Sequence, residues 1–135
     1  MLLPRELILF ASPILDRGGF INKQRTLILT DYPRLICIKE TATKVTLKSE
    51  VFLGVNAPPK AGTSTFIKAE AENDRVFTVR TVRREPAFPA LLQHTDSYLF
   101  SQSQRTNKYE EPGGSAMRWV AELREAHSKG LAPPQ

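Results

Sequence analysis

Lys23 and Arg25 stand two residues apart at the head of an alternating run, KQRTLILT, just past the pair Gly18-Gly19. In an extended strand, side chains two apart point to the same face. Lys23, Arg25, Leu27 and Leu29 therefore form one row, cationic at one end and apolar at the other. The leucines suit a core. The cations carry the row past the point where a core tolerates charge. Two convergent donors at the edge of a core suit the gripping of a compact oxyanion such as phosphate, through charge-assisted hydrogen bonds. Arg17 precedes the glycines and is expected on the same turn. The rival reading is a solvated strand end, which the same spacing permits.

Other chemistries find little support. His94 and His127 have no Cys or His at metal-ligand spacing. No G-x-S-x-G, P-loop or dinucleotide fingerprint occurs, and Gly18-Gly19 alone is a turn. The carboxylates are scattered, so no general acid and base can be nominated. A non-catalytic chain without a cofactor is expected. Cys37 is the single cysteine, which rules out an internal disulfide. Its apolar setting, RLICIKE, suits a buried, reduced thiol in a reducing compartment. The formal net charge of +5 favours anionic partners: nucleic acid, a membrane surface or phosphorylated ligands. Aromatics rarely interleave with the basic residues and no nucleic-acid motif is present, so nucleic acid is not expected. No apolar stretch approaches the roughly 20 residues that span a bilayer. The start, MLLPRELILF, lacks the basic leader of a signal peptide. Membrane contact is expected to be peripheral.

The elements that would hold such a site are mostly strands. The chain of 135 residues suits one domain with one core. Extended segments are expected at Glu6–Ala11, Arg25–Thr30, Arg34–Lys39, Val45–Phe52, Phe66–Ala71, Val76–Val82 and Arg105–Glu110. Turns fall at Asp31-Tyr32-Pro33, Glu40–Thr43 and Glu72-Asn73-Asp74. In the fourth strand, alternation puts Val45, Leu47 and Val51 on one face, with Lys48 and Glu50 on the other. Gly54–Thr65 has the composition of a flexible loop. Arg83–Gln104 is long for a connection, with a short helix expected at Ala87–His94 and an anchor at Tyr98–Phe100. Its apolar residues either pack on their own barrel or offer a docking surface. Pro112-Gly113-Gly114 stops the last strand, and a helix follows over Ser115–His127. Ser115 is its expected N-cap, and Ala116, Trp119, Val120, Leu123 and Ala126 form an apolar stripe. Gly130 suits the C′ position and Lys129 complements the helix dipole. Seven short strands and one amphipathic helix describe a mainly β barrel closed by the helix at one end. The cations then line a mouth of the barrel.

The segments ILFASPILDRGGFINKQRTLILTDYPRLICI, VTLKSEVF, FIKAEAENDRVFTVRT and RTNKYEEPGGSAMRWVAEL carry a resemblance. Together they resemble the pleckstrin homology (PH) domain of the 3-phosphoinositide-dependent protein kinases, activators of AGC-type kinases. The resemblance implies a seven-stranded bent barrel of two near-orthogonal antiparallel sheets, capped by a C-terminal helix. It would span residues 5–129, with insertions at 54–65 and 83–104 and a disordered tail at 130–135. Trp119 matches the near-universal tryptophan of that helix, which packs on the barrel. Inositol phosphate would bind at the mouth, where Lys23 and Arg25 match the family's basic pair. Lys48 matches a lysine of the fourth strand, and Arg105 an arginine followed by threonine before the seventh. The family has a lysine in the first loop just before an arginine; here Asp16 stands there, followed by Arg17. The implied function is recognition of phosphoinositides or soluble inositol phosphates, bringing a serine/threonine kinase from the cytoplasm to the inner face of the plasma membrane. The alternative is a protein-interaction or autoregulatory module with a degenerate lipid pocket, whose partner is another protein or its own kinase domain.

Overall fold

The computed structural model describes residues 2–55, 57, 62–86 and 100–130. The strands are β1 (Ile8–Asp16), β2 (Lys23–Thr30), β3 (Arg34–Glu40), β4 (Val45–Phe52), β5 (Ser64–Ala71), β6 (Val76–Pro86) and β7 (Phe100–Glu110), followed by helix α1 (Ala116–Gly130). They form a closed barrel in sequence order. Neighbours run antiparallel except β4 and β5, which meet in parallel at Val51–Ser64 and Phe52–Thr65. The barrel closes where Leu15 and Asp16 of β1 pair with Glu110 and Tyr109 of β7.

Alternation explains the core. Leu27 and Leu29 from β2, Leu35 and Cys37 from β3, and Phe77 and Val79 from β6 project inward and are buried. The helix adds every position of its apolar stripe. Trp119 is fully buried, 4.5 Å from the Phe10 ring and 6.0 Å from that of Phe77. Its indole Nε1 donates to Ser12 Oγ at 2.8 Å, so the one polar atom of a large apolar side chain is satisfied.

The helix ends differ from expectation. The Ser115 carbonyl accepts from Trp119 N, as an N-cap carbonyl should. The Ser115 hydroxyl, however, donates to Glu111 Oε2 at 2.7 Å instead of accepting from the helix. Glu111 also accepts from the amides of Gly113 and Ser115, so this carboxylate organises the turn. Gly130 is the last helical residue and is not among the glycines with positive φ. Its small size serves contact instead: a Cβ there would lie 2.8 Å from both Leu53 O and Pro33 Cγ. Gly130→Ala is therefore expected to destabilise the fold by about 1–3 kcal/mol in urea unfolding, as overpacking does. Gly19→Ala, where a Cβ meets nothing within 4 Å, has no such clash.

Three strand assignments are corrected. The first strand starts later and runs further than the expected Glu6–Ala11, spanning Ile8–Asp16, so that it reaches the β1–β2 loop. In β4, Cys37 pairs with Ser49 and Ile38 with Leu47, so Lys48 is an unpaired extra residue. A one-residue bulge of this kind resets alternation. Val51 joins the core at 3% exposure, while Leu47 and Val45 lie off it at 43% and 49%. They do not share a face, as plain alternation had implied. The β6–β7 ladder also runs from Val76–Glu110 to Pro86–Phe100. Residues 83–86 and 100–104, read from sequence as loop, are strand; SQSQ pairs through its backbone and has no apolar rhythm to reveal it. The helix expected at Ala87–His94 and the tail at 131–135 lie outside the described residues, as does the anchor Tyr98–Phe100 apart from Phe100, which opens β7.

Candidate binding mouth

Antiparallel order sorts the connections between the two ends of the barrel. The β2–β3 turn and the start of the β4–β5 connection meet the helix, through Pro33, Leu53 and Gly130. The β5–β6 turn meets its first turn, where Ala116 N donates to Asp74 O. The β1–β2 and β3–β4 connections, the end of β6 and the start of β7 therefore share the opposite, open end.

Several inward rows run out at this end. On β2, the row Leu29, Leu27 continues as Arg25, half-buried, and Lys23, exposed. On β3, the row Leu35, Cys37 continues as Lys39, exposed. On β7, Tyr109 is followed outward by Asn107 and Arg105. On β1, Ile14 is followed by Asp16, whose ladder partners are Lys23 and Tyr109. Burial pushes the Cys37 thiol up to about 11; the Asp16 charge adds to this and the Arg25 charge opposes it. Burial likewise raises the Tyr109 phenol, with Cys37 and Asp16 adding, against hydrogen bonds with Asn107 and Ser49. Asp16 and Arg25 thus both act on the floor beneath the mouth.

The residues singled out from sequence are placed unequally. Lys23 has no carboxylate within ion-pair distance among the described residues. Arg25 spends Nη1 on the neighbouring Gln24 carbonyl at 2.8 Å. It also borders a cavity of about 420 Å³ on the flank of the barrel, with Pro13, Leu15, Thr26, Glu40 and Pro112. Arg17 does not converge with this pair. Its Nη1 lies 3.1 Å from Glu110 Oε1, on the face away from inward-pointing Tyr109. Lys48 is exposed on the bulge, so its direction is set by the bulge and not by the strand's alternation. Arg105 reaches the mouth but lies 3.2 Å from Glu85 Oε1, which Arg83 Nε also approaches at 3.7 Å.

Sequence reasoning missed Lys39. The signal was available: Lys39 follows Cys37 by two and Leu35 by four, the same pattern that singled out Arg25 and Lys23. It also missed Phe20 and Ile21, at the tip of the β1–β2 loop. They are the two most exposed large apolar side chains described, at 111% and 73%. Among the described residues, no cluster of His, Cys, Asp and Glu is placed to hold a metal ion. No described helix is long and apolar enough to cross a membrane.

A family model of the PH domain matches residues 1–100, most of the chain and all of β1 to β6. The chain belongs to the PH domain family, a class of non-catalytic modules that bind phosphoinositides or proteins. No curated protein matches it.

Proposed function

We propose that this PH domain binds the phosphates of an inositol headgroup at its open end and so holds its parent protein on an anionic membrane surface. One observation carries the reading. Lys23, Arg25 and Lys39 end neighbouring inward rows at the same mouth, and none has a carboxylate within ion-pair distance among the described residues. Beside them, Phe20 and Ile21 project from the loop between β1 and β2. Each cation near an anionic surface adds on the order of 1 kcal/mol. Burying each apolar side chain in the interface adds about 1.5–3 kcal/mol. Lys48 and Arg105 are second-rank ligands in this reading: Lys48 stands on a bulge, and Arg105 must leave Glu85. The resemblance to 3-phosphoinositide-dependent kinases supports a serine/threonine kinase as the parent and the cytosolic leaflet as the surface.

The test pairs vesicles with soluble headgroups. The domain is expected to sediment with phosphoinositide-containing vesicles and to bind soluble inositol phosphates in calorimetry. The double variant Phe20→Ser, Ile21→Ser should lose roughly 100-fold or more in vesicle affinity and keep its affinity for soluble headgroups. A folded domain that binds neither vesicles nor inositol phosphates would overturn the proposal. That outcome would favour a protein partner, a reading supported by the acidic Asp16 within the mouth and by the flank cavity lined with Pro13, Leu15 and Pro112.

A further inference from the structure

We infer that Asp16 selects among headgroups: its carboxylate accepts a free ring hydroxyl and turns away a phosphate at the same position. The inference rests on the headgroup reading above and deepens it.

Asp16 ends β1 on the inward face, opposite Lys23 on one side and Tyr109 on the other. It stands inside the ring of cations and not on the outer wall. Its carboxylate is held in place, because Oδ1 accepts from Gly18 N at 2.9 Å. Gly18 permits this approach; a Cβ there would lie 3.2 Å from Oδ1. Of the other acids near this end, Glu110 pairs with Arg17 and Glu85 with Arg105 and Arg83, while Glu40 lies outside the inward row and accepts from Thr26. Asp16 has no cation within ion-pair distance among the described residues, although Lys23 is its ladder neighbour. Its second oxygen is left to a ligand.

The chemistry follows from donor inventory. An ionised carboxylate only accepts hydrogen bonds. A ring hydroxyl can donate to it; a phosphate dianion brings only acceptors and like charge. An inositol ring carries both substituents. The mouth therefore fits a ring that turns phosphates toward β2 and β3 and a hydroxyl toward β1. A ring phosphorylated at every position offers Asp16 no donor.

The experiment is calorimetric titration of the intact domain with soluble inositol phosphates of increasing phosphorylation, up to the hexakisphosphate, at fixed ionic strength. Asp16→Asn retains an oxygen for the Gly18 amide, so the loop keeps its anchor. Glu40→Gln is the control: it removes one negative charge at the same end of the barrel, outside the inward row and hydrogen-bonded to Thr26. Asp16→Asn should raise affinity for the hexakisphosphate more than tenfold and for ligands with free hydroxyls by threefold or less, reversing their order. Glu40→Gln should raise all of them by a similar small factor. Equal gains from the two variants, or an unchanged order in Asp16→Asn, would overturn the selecting role while leaving headgroup binding intact. Absence of binding by the wild type and both variants would overturn the headgroup reading itself, and Asp16 selection with it.

Discussion

Replacing Lys23 and Arg25 together by alanine is expected to abolish binding to phosphoinositide vesicles while the domain stays folded. Folding does not rest on either side chain. Lys23 is exposed at the first position of β2, and Arg25 makes one hydrogen bond, to the adjacent Gln24 carbonyl. The core role on that strand belongs to Leu27 and Leu29, both fully buried. Binding, in the reading proposed, rests on both. A hydrogen bond to a charged group contributes about 1.5–3 kcal/mol, so losing two costs at least two orders of magnitude in affinity. The residual affinity should fall further as salt screens the remaining charges. Arg17→Ala should have a much smaller effect, because Arg17 already faces Glu110. Sedimentation with vesicles measures the first outcome, and thermal melting by circular dichroism checks the fold. Unchanged vesicle binding by the double variant would place the headgroup elsewhere.

Arg34→Met should destabilise the domain by about 3–5 kcal/mol, the cost of stranding one member of a buried ion pair. Arg34 opens β3 and is buried outside the barrel core. Its Nε and Nη2 donate to the two oxygens of Glu6 at 2.7 and 2.6 Å, and its Nη1 donates to Glu50. Thr30 donates its hydroxyl to Glu6 as well. The cluster fixes the segment before β1 against the β2–β3 corner. Without Arg34, the Glu6 carboxylate keeps Thr30 and the Leu3 amide but no cation.

The same cluster gives an acid limb to stability. Hydrogen bonding from Arg34, chiefly, lowers the Glu6 carboxyl from 4.5 to about 2 despite its burial. A group depressed on folding contributes stability that is complete above its unfolded value and is lost as pH falls through the folded one. Wild-type stability should therefore decline by about 3 kcal/mol between roughly pH 5 and pH 2 on this account. The gap between wild type and Arg34→Met should narrow over the same window. Urea unfolding at several pH values measures both; a variant within about 1 kcal/mol of wild type at pH 7 would contradict the prediction.

Much of the architecture was legible because it is local. The row Lys23, Arg25, Leu27, Leu29 needs only the two-residue period of a strand, and the helical stripe ending at Ala126 needs only the 3.6-residue period of a helix. The bounds of β4 were read correctly and yet its faces were not. Val45–Phe52 is one strand, but the extra residue at Lys48 is visible only against β3. The ladder of Arg83–Pro86 with Phe100–Ser103 was invisible for a similar reason, since polar residues joined by backbone bonds leave no apolar rhythm.

By itself, the sequence determined the number of strands, the capping helix, the buried Trp119 and the cationic row of β2, because side-chain direction within one element follows from backbone period. Only the tertiary structure decided which charges remain available at the mouth. Glu110 engages Arg17 across 93 residues of sequence and Glu85 engages Arg105 across 20, while Lys39 and Asp16 are brought in from two other strands. Ion pairing depends on distance in space, and that distance is set by strand register, which no single segment contains.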